Sequence, residues 1–92
     1  MVLITRGLLV PTLSYLAMNK SSNQNIIAVF GQRVRMLRKA RELSQETFAD
    51  LAGLHRSYMG GVECGERNVS LVNIQKIADA LEISVDKLFQ GL

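Results

Sequence analysis

The chain has 92 residues, a formal net charge of +3, and 48% hydrophobic against 21% charged residues. That composition excludes a disordered or fibrous segment and describes one small globular domain, whose modest core makes dimerisation a plausible source of extra stability. A single cysteine, Cys64, and a single histidine, His55, exclude a disulfide framework, fall short of a structural zinc site and fit a reducing, cytoplasmic setting, while the positive balance favours a polyanionic partner.

Residues 1–17 are apolar but interrupted by Arg6, Gly7 and Pro11. They are too short and too broken for a membrane span and lack the basic start of a signal peptide. Met18 then opens a polar run over residues 19–25, as at an ordinary flexible N-terminus. Translation beginning at Met18 is the simplest expectation, with residues 1–17 as an addition; the alternative is an extra packing or oligomer arm. The chain thus divides into an extension, 1–25, and a domain, 26–92.

From Ile26 the apolar positions Ile26, Phe30, Val34 and Leu37 recur at steps of four and three, which predicts a first helix ending near Arg41 and slightly weakened by Gly31. Arg33, Arg35, Arg38, Lys39 and Arg41 make this helix basic. The run reads either as a positive face for the partner or as a solvated helix surface.

Ser44 is a good N-cap, and Phe48, Leu51 and Ala52 then share one face of a second helix that Gly53 closes. The third helix, roughly 56–63, turns Met59 and Val62 inward and leaves Arg56, Ser57, Tyr58, Gly60 and Gly61 on the other side. Two short helices joined by a tight glycine turn follow the helix-turn-helix plan, which places one helix in a DNA groove. Gly60 and Gly61 cost about 1 kcal/mol each in helix propensity relative to Ala, and close approach to DNA is one compensating reason. Glu63 reads as structural, pairing with a basic residue or capping the following loop.

Gly65 and Asn68 suit a tight turn. Ser70 would cap a fourth helix with Ile74, Ile77, Ala78 and Leu81 as its stripe, and Ser84 a short fifth carrying Val85, Leu88 and Phe89. The whole reads as all-α, with five helices, short connections and no strands. Neither a carboxylate pair in a plausible cleft nor a phosphate-cradling glycine loop is present, so an enzyme is not expected.

Leu-Ser-Gln-Glu-Thr-Phe-Ala at 43–49, Ala-Gly-Leu at 52–54, Gly61-Val62-Glu63, Gly65, Arg67-Asn68 and Ile-Ser-Val-Asp-Lys-Leu-Phe at 83–89 together resemble the XRE-type helix-turn-helix regulators, whose relatives include lambdoid phage repressors and Cro proteins. Within that group, the stretch 55–63 with Arg67-Asn68 is most similar to controller proteins of restriction–modification systems. The resemblance implies a five-helix lambda-repressor-like domain that works as a homodimer on a palindromic operator in double-stranded DNA, regulating its own transcription and that of the endonuclease gene. It leaves RNA polymerase open as a further partner and implies no cofactor.

For the site, the resemblance implies that Gln45 grips a phosphate from a helix N-terminus, where free N–H groups and the dipole favour an anion. Arg38 joins it on the phosphate side, and His55 faces phosphate or solvent. Arg56 would be the chief base reader, its planar fork matching guanine O6 and N7. Ser57 would meet a base edge or phosphate; Tyr58 either lies at the DNA surface or is a half-buried packing residue. Arg67 and Asn68 would reach a groove edge or hold the backbone. Position 60 departs from the family in carrying Gly, and position 64 in carrying Cys. Ile83, Val85, Leu88 and Phe89 would form the dimer surface, or else only close the monomer core. Competing readings are a phage or plasmid repressor of the same fold, and an antitoxin-like interaction module.

Overall fold

The computed structural model describes residues 2–5, 8–11 and 23–92. Five helices form the domain: α1 (Asn23–Ala40), α2 (Gln45–Ala52), α3 (Arg56–Glu63), α4 (Leu71–Ala80) and the single turn α5 (Val85–Leu88). The extension adds a feature that helical periodicity does not suggest. Strands β1 (Val2–Thr5) and β2 (Leu8–Pro11) pair antiparallel, with Val2 opposite Pro11 and Thr5 opposite Leu8. The Met18 expectation falls among residues outside those described.

Helix ends follow local chemistry. The Ser44 hydroxyl accepts from the Thr47 N–H and the Ser70 hydroxyl from the Asn73 N–H, each satisfying one of the donors orphaned at a helix start. Ser84 occupies the corresponding place before α5 but makes no side-chain cap. Its hydroxyl instead bonds the Asp86 carboxylate and, ahead of smaller backbone effects, holds that carboxyl below the usual range. α1 starts at Asn23, inside the polar run and three residues before the first apolar position of its stripe.

Four helices end the same way. The residue after the last turn takes a left-handed conformation, and the next N–H reaches back to a carbonyl five residues earlier, as in Leu43 to Arg38, Leu54 to Ala49, Glu66 to Gly61 and Ile83 to Ala78. Glycine holds that position after α2 and α3. Glutamate holds it after α1 and α4, where Glu42 and Glu82 have φ of 57° and 56°.

The core gathers one face from each helix: Phe30 and Val34 from α1, Phe48, Ala49 and Ala52 from α2, Met59 and Val62 from α3, Ile77 and Ala78 from α4, with Leu81 and Leu88 behind them. Ala49 replaces Leu51 in the expected stripe of α2. Leu51 is 59% exposed, because the helix turns Phe48, Ala49 and Ala52 inward instead.

Gly31 is a requirement rather than a weakness. A Cβ there would stand 2.2 Å from the Val62 carbonyl oxygen, so α1 can cross α3 this closely only through a bare Cα. α5 is held to α1 by two means. Phe89 stacks on Phe30 with ring centroids 5.2 Å apart. Arg33 donates to the Lys87 and Leu88 carbonyls at 2.8 and 3.2 Å, occupying acceptors that the end of a one-turn helix leaves open.

Candidate nucleic-acid interface

The geometry of the helix-turn-helix pair is set by one buried carboxylate. Glu63, at the end of α3, receives Arg38 Nε at 2.7 Å and Arg38 Nη2 at 2.9 Å from α1, and Gln45 Nε2 at 3.2 Å from the first residue of α2. Arg38 also donates to the Leu43 carbonyl at 2.8 Å, in the α1–α2 connection. The pair's side chains are only 10% and 2% exposed. All three helices of the reading unit are therefore tied to each other by fully partnered polar groups, the condition under which a buried ion pair is tolerated. The hydrogen bonds that Arg38 donates to the Glu63 carboxylate, partly opposed by desolvation, raise the Arg38 pKa above its ordinary value.

This arrangement confirms a pairing role for Glu63 and corrects the expectation for Arg38. With three of its five N–H groups committed inside the domain and only 10% of its side chain exposed, this guanidinium is held by the protein rather than presented to a phosphate. The rest of the basic run divides likewise. Arg33 caps α5, and Arg41 bonds the Leu81 carbonyl and Glu82. Only Arg35 and Lys39 project as solvated cations, so the run is mainly structural.

Gln45 lies along α3, with its Oε1 just 3.3 Å from where a Cβ on Gly60 would stand. Gly61 would set a Cβ 2.9 Å from Arg67 Nε. Both glycines thus make room for side chains of this same chain: Gly60 for Gln45, Gly61 for Arg67. That supplies the compensation sought for their helix cost without appeal to DNA.

Arg56 and Ser57, in the first turn of α3, are exposed. His55, the residue before that turn, does not cap it; its Nδ1 is hydrogen-bonded to Ser57 Oγ at 3.0 Å. Tyr58 is half-buried. Its hydroxyl accepts from Asn73 Nδ2 at 3.1 Å, and the Arg67 guanidinium carbon sits 5.5 Å from its ring centroid. Asn68 is exposed on the loop beside Arg67. Among the described residues, neither Arg56 nor Arg67 has a carboxylate partner. The structure thus brings Gln45, Arg56, Ser57, Tyr58 and Arg67 around α3. Asn73, on α4, joins them unannounced by the sequence: a polar residue at the third position of a capped helix carries no signal of the hydroxyl it will meet.

Of the residues expected at a dimer surface, Leu88 is fully buried in its own core and offers no surface to a partner. Phe89, Ile83 and Val85 are half-buried. Ile83 borders an open apolar groove of about 230 Å³ with Leu37, Ala40 and Leu81. Among the described residues, the most exposed large apolar ones are Leu71 and Val72 at the start of α4, at 83% and 65%. Among the described residues no cluster of His, Cys, Asp and Glu could hold a metal ion, and no helix is long and apolar enough to cross a membrane.

The model of the helix-turn-helix family HTH_3 matches residues 34–88, over half of the chain, including the end of α1 and the whole of α2 and α3. This chain belongs to that helix-turn-helix family. It is 45% identical over 64 residues to the control protein C.MunI of Mycoplasma sp., a match covering 68% of this chain and 86% of that protein. The crystal structure of the restriction–modification controller protein C.AhdI from Aeromonas hydrophila superposes with a TM-score of 0.69 at 62% identity, covering 71% of this chain and 98% of the other. The biofilm master regulator SinR in complex with DNA matches with a TM-score of 0.63 at 31% identity, over 66% of this chain and 98% of that one. The family places the chain among DNA-binding transcription regulators, and its relatives include restriction–modification controllers.

Proposed function

We propose that this chain is a cytoplasmic restriction–modification controller that binds a palindromic operator as a homodimer and regulates its own transcription and that of the endonuclease gene. No catalytic role is part of this reading. The carrying observation is the contrast in partners. Arg38 is bonded to protein groups, whereas Arg56 at the exposed start of α3 and Arg67, lying against Tyr58 and Gly61, have no carboxylate partner among the described residues.

Arg56 is the base reader in this proposal, with Ser57 beside it and Tyr58, Arg67 and Asn68 completing the groove face. Gln45 and His55 serve the phosphate backbone on either side. Gln45 has a second amide N–H left after its bond to Glu63, and the α2 N-terminus stands behind it. A single short helix covers too few base pairs for useful specificity, so two copies with reading helices about 34–36 Å apart are required. Ile83, Val85 and Phe89 supply the apolar surface at the α5 end for that pairing.

Selection from a randomised duplex DNA pool at physiological salt, followed by sedimentation of the complex, tests the proposal. An enriched palindrome with half-centres about one helical turn apart, bound by two chains, is the expected result. Weak, steeply salt-dependent binding with no enriched sequence would overturn it.

A further inference from the structure

Tyr58 sits where two helices and a loop converge. Its hydroxyl takes a hydrogen bond from Asn73 Nδ2 at 3.1 Å, on α4. Arg67 lies against its ring, 5.5 Å from the centroid, in the space that the bare Gly61 leaves open. Asn73 is itself fixed in place, third in α4, with its backbone N–H held at 3.2 Å by the capping Ser70 hydroxyl.

A phenol has one proton to give and lone pairs to receive with. Because Asn73 fills an acceptor site on the α4 side, the Tyr58 proton is left to point away from α4. Phosphate oxygens only accept hydrogen bonds, so an outward O–H is the polarity that a DNA backbone requires. An acceptor at position 73 would draw that proton inward and present lone pairs to an anion.

We propose that Asn73 is a positioning residue for DNA binding: by donating to the Tyr58 hydroxyl it presents the Tyr58 O–H outward as a donor to a phosphate oxygen and holds the ring against which Arg67 lies. Asn73 acts through Tyr58 and needs no DNA contact of its own. The proposal rests on the DNA-binding reading above.

Titration of the duplex enriched from the random pool against wild type, Asn73→Ala, Tyr58→Phe, the double variant and Asn73→Asp tests it, with circular dichroism melting of each. Each of the first two single changes is expected to weaken binding roughly three- to tenfold, the weight of one hydrogen bond. The double variant should lose no more than the worse single, because both remove the same O–H contact. Asn73→Asp should lose more than Asn73→Ala, since its carboxylate accepts the Tyr58 proton and turns it inward. Wild-type affinity in folded Asn73→Ala, or losses that multiply in the double variant, would overturn the positioning role alone. A wild type that enriches no sequence would overturn the DNA-binding reading, and this proposal with it.

Discussion

Arginines occur in two regions of this domain, and they meet opposite fates. On α1 and just after it, Arg33, Arg38 and Arg41 are each drawn back onto the protein: to the end of α5, to buried Glu63, and to the end of α4. Around α3, Arg56 and Arg67 have no carboxylate among the described residues. The difference lies in what each neighbourhood leaves unsatisfied. α1 runs past two helix C-termini, whose carbonyls lack intrahelical donors, and past a buried carboxylate that would be costly without a cation. α3 begins with exposed residues, and neither arginine there pairs with a carboxylate among the described residues. A cluster of basic residues therefore locates a binding face only after the internal acceptors have been counted.

The largest effect that could break this comparison is at Arg38. Arg38→Ala would leave Glu63 buried without its cation, and removing one partner of such a pair costs about 3–5 kcal/mol. Urea unfolding followed by circular dichroism should show that loss, and replacing Glu63 with Leu in the same chain should recover much of it. A variant of wild-type stability that bound DNA less tightly would return Arg38 to the phosphate side.

Arg56→Ala is the counterpart. Stability should stay within about 0.5 kcal/mol of wild type, as for an exposed residue without internal partners. Affinity for the selected duplex should fall by about 1–3 kcal/mol, with relaxed preference at one base position of each half-site. Gln45→Ala should weaken binding to all sequences alike. If the arginine change altered stability and left affinity untouched, the contrast between the two regions would collapse.

Much of this was legible in the sequence. The caps at Ser44 and Ser70, the closing Gly53, the third helix over residues 56–63 and the inward Met59 and Val62 all follow from local chemistry that acts within a few residues. What escaped depends on distant partners. Gly31 reads as a helix weakness until Val62 is seen beside it. Gly60 and Gly61 read as openings toward DNA until Gln45 and Arg67 fill them. Leu88 reads as surplus apolar surface because the sequence does not show how deeply a one-turn helix is drawn into the core. Arg38 escaped for the same reason, since its partner lies 25 positions away.

A smaller test concerns Arg33. Arg33→Ala removes its bonds to the Lys87 and Leu88 carbonyls and should cost about 1 kcal/mol in stability. The salt dependence of DNA binding should be unchanged. A slope reduced by about one would show that Arg33 neutralises a phosphate, and the division of the basic run would then need redrawing.

The smallest expected effect sharpens the comparison at Arg41, whose partner Glu82 is largely exposed, at 76% of its side chain. Glu42 and Glu82 hold equivalent left-handed positions after α1 and α4, so glycine at either relieves the same backbone strain, while the greater freedom of glycine in the unfolded chain offsets part of the gain. Glu42→Gly should stabilise by about 0.5–1 kcal/mol. Glu82→Gly gains the same relief but gives up its ion pair with Arg41, 2.8 Å long and screened by solvent, which is worth about 0–1 kcal/mol. The difference between the two melting shifts therefore measures the Arg41 pair. Equal shifts would mean that Arg41 is held by the Leu81 carbonyl alone, and its tie to α4 would then be a helix-end contact of the kind Arg33 makes with α5, not an ion pair like that of Arg38.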